Sequence, residues 1–418
     1  MKNLCKIIFL SLIFYINSEA QQITWQRLYN GPSNFSDLGY SVCELRDGNF
    51  IIAGATQTPF YAIYILKLNC YGDTLWTRTI GGFSPGQLAY AITASNDGGF
   101  VFTGDADTAF VIKMNNLGEI VWYKKYNKFR YVQCYDIKNT FDGGYIACGR
   151  ILHEGGFILK IDSNGILQWV KNISGEFTSF NRVINAHNSG YILSGSIYDT
   201  PTGDTIQSIV IRINDFGNII WQRRYTILDG TNGKSIGLLN SGYILSGTAT
   251  KNLITDPIAE IYFIRLDTNG NIKYSKIFNS GVIETLRNQI IINENKYLFV
   301  ISTDSINITN AKLILTDSLG YIQKQMIYPS IKYLYLESAI VSSNNKYIFT
   351  GTWGKYGNGD RDDIYVLKTD SNLKAPPLLS ISSIKLKSYD DYKLYPSFPN
   401  PFNPNTAIKF ELKKKSKY

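Results

Sequence analysis

Asp142-Gly143-Gly144-Tyr145-Ile146-Ala147-Cys148-Gly149, a short loop, then Phe157-Ile158-Leu159-Lys160-Ile161-Asp162-Ser163-Asn164-Gly165-Ile166-Leu167-Gln168-Trp169-Val170-Lys171 form one copy of a unit that recurs along the chain. Its leading aromatic returns as Phe50, Phe100, Tyr145, Tyr191, Tyr243, Tyr297 and Tyr347, at intervals of 45 to 54 residues. Four residues later comes Gly54, Gly104, Gly149, Gly195, Gly247 or Gly351, with Ile301 the one departure. A second turn glycine follows at 72, 118, 165, 217, 270 and 320, and four positions beyond it stand Trp76, Trp122, Trp169, Trp221, Tyr274 and Lys324.

Each copy holds four short β-type runs, near 132–137, 145–149, 157–161 and 167–173 in the third. Asp-Gly-Gly and Asn-Gly are hairpin turn chemistry, because glycine accepts the positive φ of a tight turn. Four antiparallel strands in about 50 residues is the pattern of a propeller blade. The seventh copy reaches Ala375-Pro376-Pro377 without its Trp-bearing strand, and a matching strand stands at 23–29, around Trp25. The expected fold is therefore all-β, a seven-bladed β-propeller over 21–372, its ring closed by the N-terminal strand completing the last blade.

The chain has 418 residues, 44% hydrophobic and 14% aromatic, with 35 Gly and 30 Tyr against 3 Met. That excludes global disorder and favours a turn-rich β protein. The net charge of +9 is concentrated at the ends: +1 in 1–20, +6 in 373–418 and +2 in everything between. A nucleic-acid surface needs a clustered basic stripe, so no nucleic-acid partner is expected. Two histidines argue against a multi-His metal centre and a Ser-His-Asp arrangement, and no cofactor is expected. Cys134 and Cys148 flank a hairpin turn, where a disulfide competes with two buried thiols.

Residues 1–20 read as a secretory signal: Lys2 and Lys6, an apolar run over 7–16, and Ser18-Glu19-Ala20 as a small-x-small cleavage site. No stretch is apolar for long enough to span a bilayer. Residues 373–391 read as a linker. The run Tyr395-Pro396-Ser397-Phe398-Pro399-Asn400-Pro401-Phe402-Asn403-Pro404-Asn405-Thr406-Ala407-Ile408-Lys409-Phe410 closely resembles the opening of the type A C-terminal sorting domain of the type IX secretion system. The resemblance covers the last 25 or so residues. It implies a bacterial protein, export by the type IX machinery, and a secreted, extracellular or outer-membrane surface location. Members of that family continue through further strands, so 392–418 is expected to be a truncated sorting domain, and a periplasmic location follows if truncation blocks export.

Several repeated residues have two readings. The outer-strand aromatics suit packing between blades or a sugar platform. The basic residues two positions on (Arg27, Arg78, Lys124, Lys171, Arg223, Lys276) read as guards against edge pairing. Lys67, Lys113, Lys160, Arg212, Arg265 and Lys368 read as solvated framework charges. Asp229-Gly230-Thr231-Asn232-Gly233-Lys234-Ser235 lacks the glycine spacing and following helix of a phosphate loop. The Asp-x-x-Gly…Trp spacing resembles the tryptophan-docking repeats of quinone-dependent dehydrogenase propellers, as far as blade packing goes.

Ligand residues are sought in the loops of one face, which vary between copies. The candidates are Trp353, Tyr356, Asp360 and Asp362 in the seventh copy, with Asp105, Asp107 and Glu154 elsewhere. Aromatic faces beside carboxylates suit a sugar, so the expectation is a monomeric, non-enzymatic module binding a polysaccharide or surface protein. A carbohydrate-active hydrolase or lyase working through two loop carboxylates, or a purely structural envelope module, are the alternatives.

Overall fold

A computed structural model describes residues 23–378, apart from 34, 82–85, 174–177, 199–205, 252–257, 306, 331 and 355–360, together with the backbone of 392–394 and 410–412. The signal-like segment, most of the sorting-domain resemblance, Tyr356 and Asp360 lie outside the described residues. The chain divides into two compact units, 1–376 and 377–418. In the second, Tyr392–Leu394 pairs antiparallel with Phe410–Leu412.

The first unit is a β-propeller of repeated four-stranded antiparallel sheets. One sheet runs Asp37–Glu44, Phe50–Thr58, Phe60–Leu68, Thr74–Gly81, and two more begin at Ser179–Asn185 and Gly230–Leu239. Two repeats merge where Phe100–Met114 and Ile120–Asn139 are long enough to pair twice, giving a six-stranded sheet. The last two touch through one parallel bridge, Thr309 with Tyr333. Trp25–Tyr29 lies antiparallel to Asp363–Thr369, with Trp25 opposite Lys368 and Tyr29 opposite Ile364. Strand Asp37–Glu44 also meets the seventh repeat: Glu44 accepts both the Ser343 N–H and its hydroxyl at 2.7 Å.

Burial explains the sequence pattern. The second and third strands of a repeat are covered on both faces by neighbouring sheets, so 50–56 and 155–161 are buried without alternation. The outer strand Thr74–Gly81 is mostly exposed. The cores lie between sheets: Ile51, Ala53 and Ile65 of one repeat pack with Phe100, Phe102 and Ile112 of the next.

The outer aromatics join the repeats. Trp25 donates its indole N–H to the Cys70 carbonyl (3.1 Å), Trp76 to Asn116 (3.3 Å), Trp169 to Asp215 (2.9 Å) and Trp221 to Thr268 (3.2 Å). Each ring covers the turn glycine of the following repeat; a Cβ on Gly72 or Gly217 would come within 2.9 Å of Trp25 or Trp169. Those glycines also adopt φ of 84° and 76°. Arg27 and Arg78 donate to the carbonyls of Gly72 (2.9 Å) and Gly118 (3.0 Å), so these two basic residues latch adjacent repeats rather than simply guarding an edge.

Five of the six third-strand cations are buried rather than solvated, and Arg265 is half-buried. Lys67, Lys113 and Lys160 are 5%, 8% and 2% exposed and pair with Asp47 (2.9 Å), Asp97 (2.6 Å) and Asp142. Each carboxylate sits in the hairpin turn beside its lysine. Buried Arg212, whose turn lacks an aspartate, donates to the carbonyls of His187 and Ser189 instead. Cys134 and Cys148 are free and buried. A bulge places Cys134 opposite Gly149 and Cys148 opposite Asp136, and the two thiols pack into separate inter-sheet cores.

Partial burial works to raise the Asp97 carboxyl, but hydrogen bonds from Lys113, Ser95 and Gly99 outweigh it and hold the group down at about 2. Asp47 and Asp142 are lowered in the same way. A depressed folded value contributes stability that is present above the ordinary carboxylate range, about 3.9, and lost as pH falls through the folded value. Stability measured by denaturant titration should therefore decline between about pH 4 and pH 2. The Asp47→Asn, Asp97→Asn, Asp142→Asn triple variant should show a flatter decline in that window.

Candidate binding site in the inner-strand cavity

Every innermost strand of the first unit carries a bulge at the same place. The ladder shifts register around Tyr40, Tyr90, Tyr135, Asn181, Lys234, Arg287 and Glu337. A bulge inserts one unpaired residue and re-aims its side chain. All seven of these half-buried residues line one cavity of about 590 Å³.

The repeated glycine makes the bulge possible. At Gly149 an added Cβ would stand 1.8 Å from the Gln133 carbonyl oxygen, and at Gly351 it would stand 1.7 Å from that of Tyr335. In each repeat that has the glycine, the oxygen belongs to the residue two before the bulged one. Where Ile301 replaces glycine, the bulge at Arg287 is still formed. The residue after the bulge ties neighbouring inner strands together. Ser41 accepts the Ile92 N–H (3.3 Å), Asp136 that of Val183 (3.0 Å) and Ser338 that of Val42 (3.4 Å).

The bulged residues divide the cavity wall into two chemistries. Tyr40 meets Tyr90 edge-on at 4.8 Å between centroids, and Tyr90 lies 5.9 Å from Tyr135. Burial raises all three phenols, and the Asp105 carboxylate adds to each shift. Opposite them, Arg287 pairs with Glu337 (3.1 Å), donates to Ser302 (2.8 Å) and lies over the Tyr335 ring at 4.4 Å. Arg182 donates to Asn288 (2.6 Å) and lies 3.7 Å from Asp136. Asn181 donates to the Gly233 carbonyl (2.8 Å). Burial pushes the Lys234 ammonium below the ordinary lysine value; Glu337 opposes this while Arg287 and Arg182 add to it.

The loop candidates fall into three groups. Asp105 and Asp362 adjoin the tyrosine wall, and both raise the Tyr40 phenol. Asp105 accepts hydrogen bonds from Gln133 (3.0 Å) and Tyr90 (3.4 Å), and burial raises its carboxyl. Asp362 accepts the Tyr333 hydroxyl. Asp107 and Glu154 are exposed and are not part of the cavity lining. Trp353 stacks on Tyr365 at 5.9 Å, a packing contact. Sequence reasoning does not single out the bulged residues themselves. Their signal is the repeated glycine, which marks the residue facing it across the ladder.

Among the described residues no group of three or more His, Cys, Asp or Glu side chains could hold a metal ion, and no helix is long and apolar enough to cross a membrane.

A β-propeller frame presenting a cavity with one aromatic and one charged wall is the class of protein defined here. No family model matches the chain, and no curated protein matches it. Among solved structures it is similar to the WD40 β-propeller domain of Doa1, at 9% identity and a TM-score of 0.48 over 83% of this chain and 96% of that one. It is also similar to a protein of unknown function from Dyadobacter fermentans (9%, 0.49, 82% and 97%) and to BBS1N, solved in complex with ARL6DN (10%, 0.48, 84% and 99%). The likeness is one of strand arrangement.

Gly149→Ala should destabilise the protein by about 1–3 kcal/mol or more, because the clash is with backbone that cannot rotate away. Gly143→Ala, where nothing lies within 4 Å of an added Cβ and only the φ of 80° is strained, should cost about 1 kcal/mol. Chemical denaturation of the two variants tests this order.

Proposed function

We propose that this chain is a seven-bladed propeller, closed by residues 25–29 completing the last blade, that binds a polysaccharide or surface protein outside the cytoplasm. The observation that carries the reading is the set of bulged residues. The frame repeats closely, yet its seven equivalent cavity positions hold Tyr, Tyr, Tyr, Asn, Lys, Arg and Glu. A purely structural repeat has no need to vary a position that faces the cavity, whereas a binding site grafted on a repeated frame does. The three rings supply stacking surface and the opposite wall supplies directed polar groups, the combination that small-ligand sites use. Between polysaccharide and protein, the concave shape favours a sugar chain.

The pairing of Trp25–Tyr29 with Asp363–Thr369 and the contact of Glu44 with Ser343 support ring closure. The address is proposed from sequence: a signal over 1–20, a linker over 373–391 and a truncated sorting domain over 392–418. These imply export, with the type IX machinery as partner, to the medium or outer-membrane surface, or retention in the periplasm if the truncated segment does not sort.

A glycoside-cleaving enzyme is the second reading. Burial raises the Asp105 carboxyl against the hydrogen bonds it accepts from Gln133 and Tyr90, the direction a general acid needs, and Asp362 and Glu337 lie near the same Tyr40.

The full chain, incubated with bacterial, algal and plant polysaccharides, should be retained on at least one without generating new chain ends. Tyr90→Ala should weaken that retention about tenfold, the scale of a lost aromatic stacking contact. New chain ends that vanish in Asp105→Asn or Glu337→Gln, with folding intact, would transfer the protein to the enzyme reading.

Fractionation of cells producing the tagged full chain should recover it in the medium or on the outer surface. Recovery in the periplasm alone would show that residues 392–418 do not sort.

A further inference from the structure

Lys234 differs from the other cations of the cavity. Arg182 is engaged by Asn288 and Asp136, Arg287 by Glu337, Ser302 and Tyr335, and Arg150 by Gln133 (2.6 Å). The Lys234 ammonium has no hydrogen-bond partner among the described residues, although it occupies the bulged position of its strand and lines the cavity. The lining carries four cations, Arg150, Arg182, Lys234 and Arg287, against two carboxylates, Asp136 and Glu337. Glu337 is already bound at 3.1 Å by Arg287. The lining thus carries more cations than carboxylates, Asp105 and Asp362 adjoin the tyrosine wall outside that lining, and one ammonium has its donors unspent.

Resting on the polysaccharide-binding reading, we propose that the cavity takes an acidic sugar residue, its carboxylate on Lys234 and its ring against the Tyr40, Tyr90 and Tyr135 wall. A lysine ammonium is a compact point charge that suits a single carboxylate. The three guanidinium forks that would grip a more highly charged phosphate, Arg150, Arg182 and Arg287, are occupied by protein partners. A cavity of about 590 Å³ accommodates one to a few sugar rings but not a folded partner. Tyr90 and Tyr135 spend their hydroxyls on Asp105 (3.4 Å) and Gln133 (2.7 Å), whereas that of Tyr40 has no partner among the described residues and is placed to orient a ring hydroxyl. The segment around Lys234 is a strand, with Gly230 opposite Thr250 and Leu239 opposite Gly242, so its Gly-Lys-Ser run acts through one side chain pointed at the cavity and not as a phosphate loop.

The test measures binding of the full chain, by calorimetry, to trisaccharides of galacturonate, glucuronate and mannuronate, each beside its methyl ester, in which the ring is kept and the charge removed. At least one acid should bind about tenfold or more tightly than its ester, the range expected for a hydrogen bond to a charged group. Lys234→Gln should remove that difference without changing the thermal midpoint, and Lys234→Arg should restore part of it. Tyr90→Ala should weaken acid and ester alike. If acid and ester bind equally, or Lys234→Gln leaves the difference unchanged, the anionic inference fails. Retention of a neutral polysaccharide with no acidic trisaccharide bound also overturns it and leaves the wider binding reading standing. Failure to bind any sugar, neutral or acidic, overturns both.

Discussion

The indole of one repeat lying on the turn glycine of the next is the contact on which the rest of the molecule depends. A four-stranded sheet with both middle strands apolar on both faces cannot exist alone in water, so every sheet needs a neighbour at a fixed distance and angle. The Trp ring sets that relation because a Cβ on the facing glycine would intrude on it at about 3 Å. The indole N–H then takes the carbonyl of the same turn, so the apolar contact leaves no polar atom unpaired. Tyr29, Tyr126, Tyr225 and Tyr328 repeat the device at the far end of the outer strand, donating to the carbonyls of Gly72, Gly165, Gly270 and Leu373. In the last case Leu373 takes the left-handed turn position, with φ of 64°, that glycine fills in other repeats.

The same economy governs the cavity. Gly149 and its equivalents are needed because the bulged inner strand brings a carbonyl oxygen to where a side chain would stand. The bulge frees one residue per repeat from the packing rules of its strand. Its neighbours are held: Ala89, Cys134, Phe180 and Leu286 before it lie in the inter-sheet cores, and several of those after it cap an N–H of the next inner strand. The variable residue and the repeated frame are therefore one residue apart, which allows unlike chemistries around a common scaffold.

The buried third-strand lysines illustrate how charge is placed. Lys67, Lys113 and Lys160 extend their apolar stems alongside the second strand and end on the aspartate of the turn that precedes it. The sequence pattern of a lysine flanked by apolar residues, read as a solvated charge, is in fact a buried lysine with a local, exposed carboxylate partner, since Asp47, Asp97 and Asp142 stand in the preceding turns. Basic residues on the outer strand likewise have a structural use, with Arg27 and Arg78 reaching across to the next repeat.

The regular part of this protein is legible in its residues because it is local and repeated. The spacing of Tyr145, Gly149, Gly165 and Trp169, recurring around the chain, specifies strands, turns and the aromatic docking position, and each depends on neighbours a few residues away. The loop candidates are legible only as chemistry: Asp105 and Asp362 adjoin the cavity, whereas Trp353 is spent on Tyr365 and Glu154 faces solvent. The bulged residues are hidden, since Tyr40, Lys234 and Glu337 share no residue type and lie up to about 300 positions apart. Sequence determined the repeated strands and their turns, through patterns with a fixed short period. Only the tertiary structure decided which side chain of each inner strand meets the others, because that depends on a one-residue register shift and on bringing distant strands around one cavity.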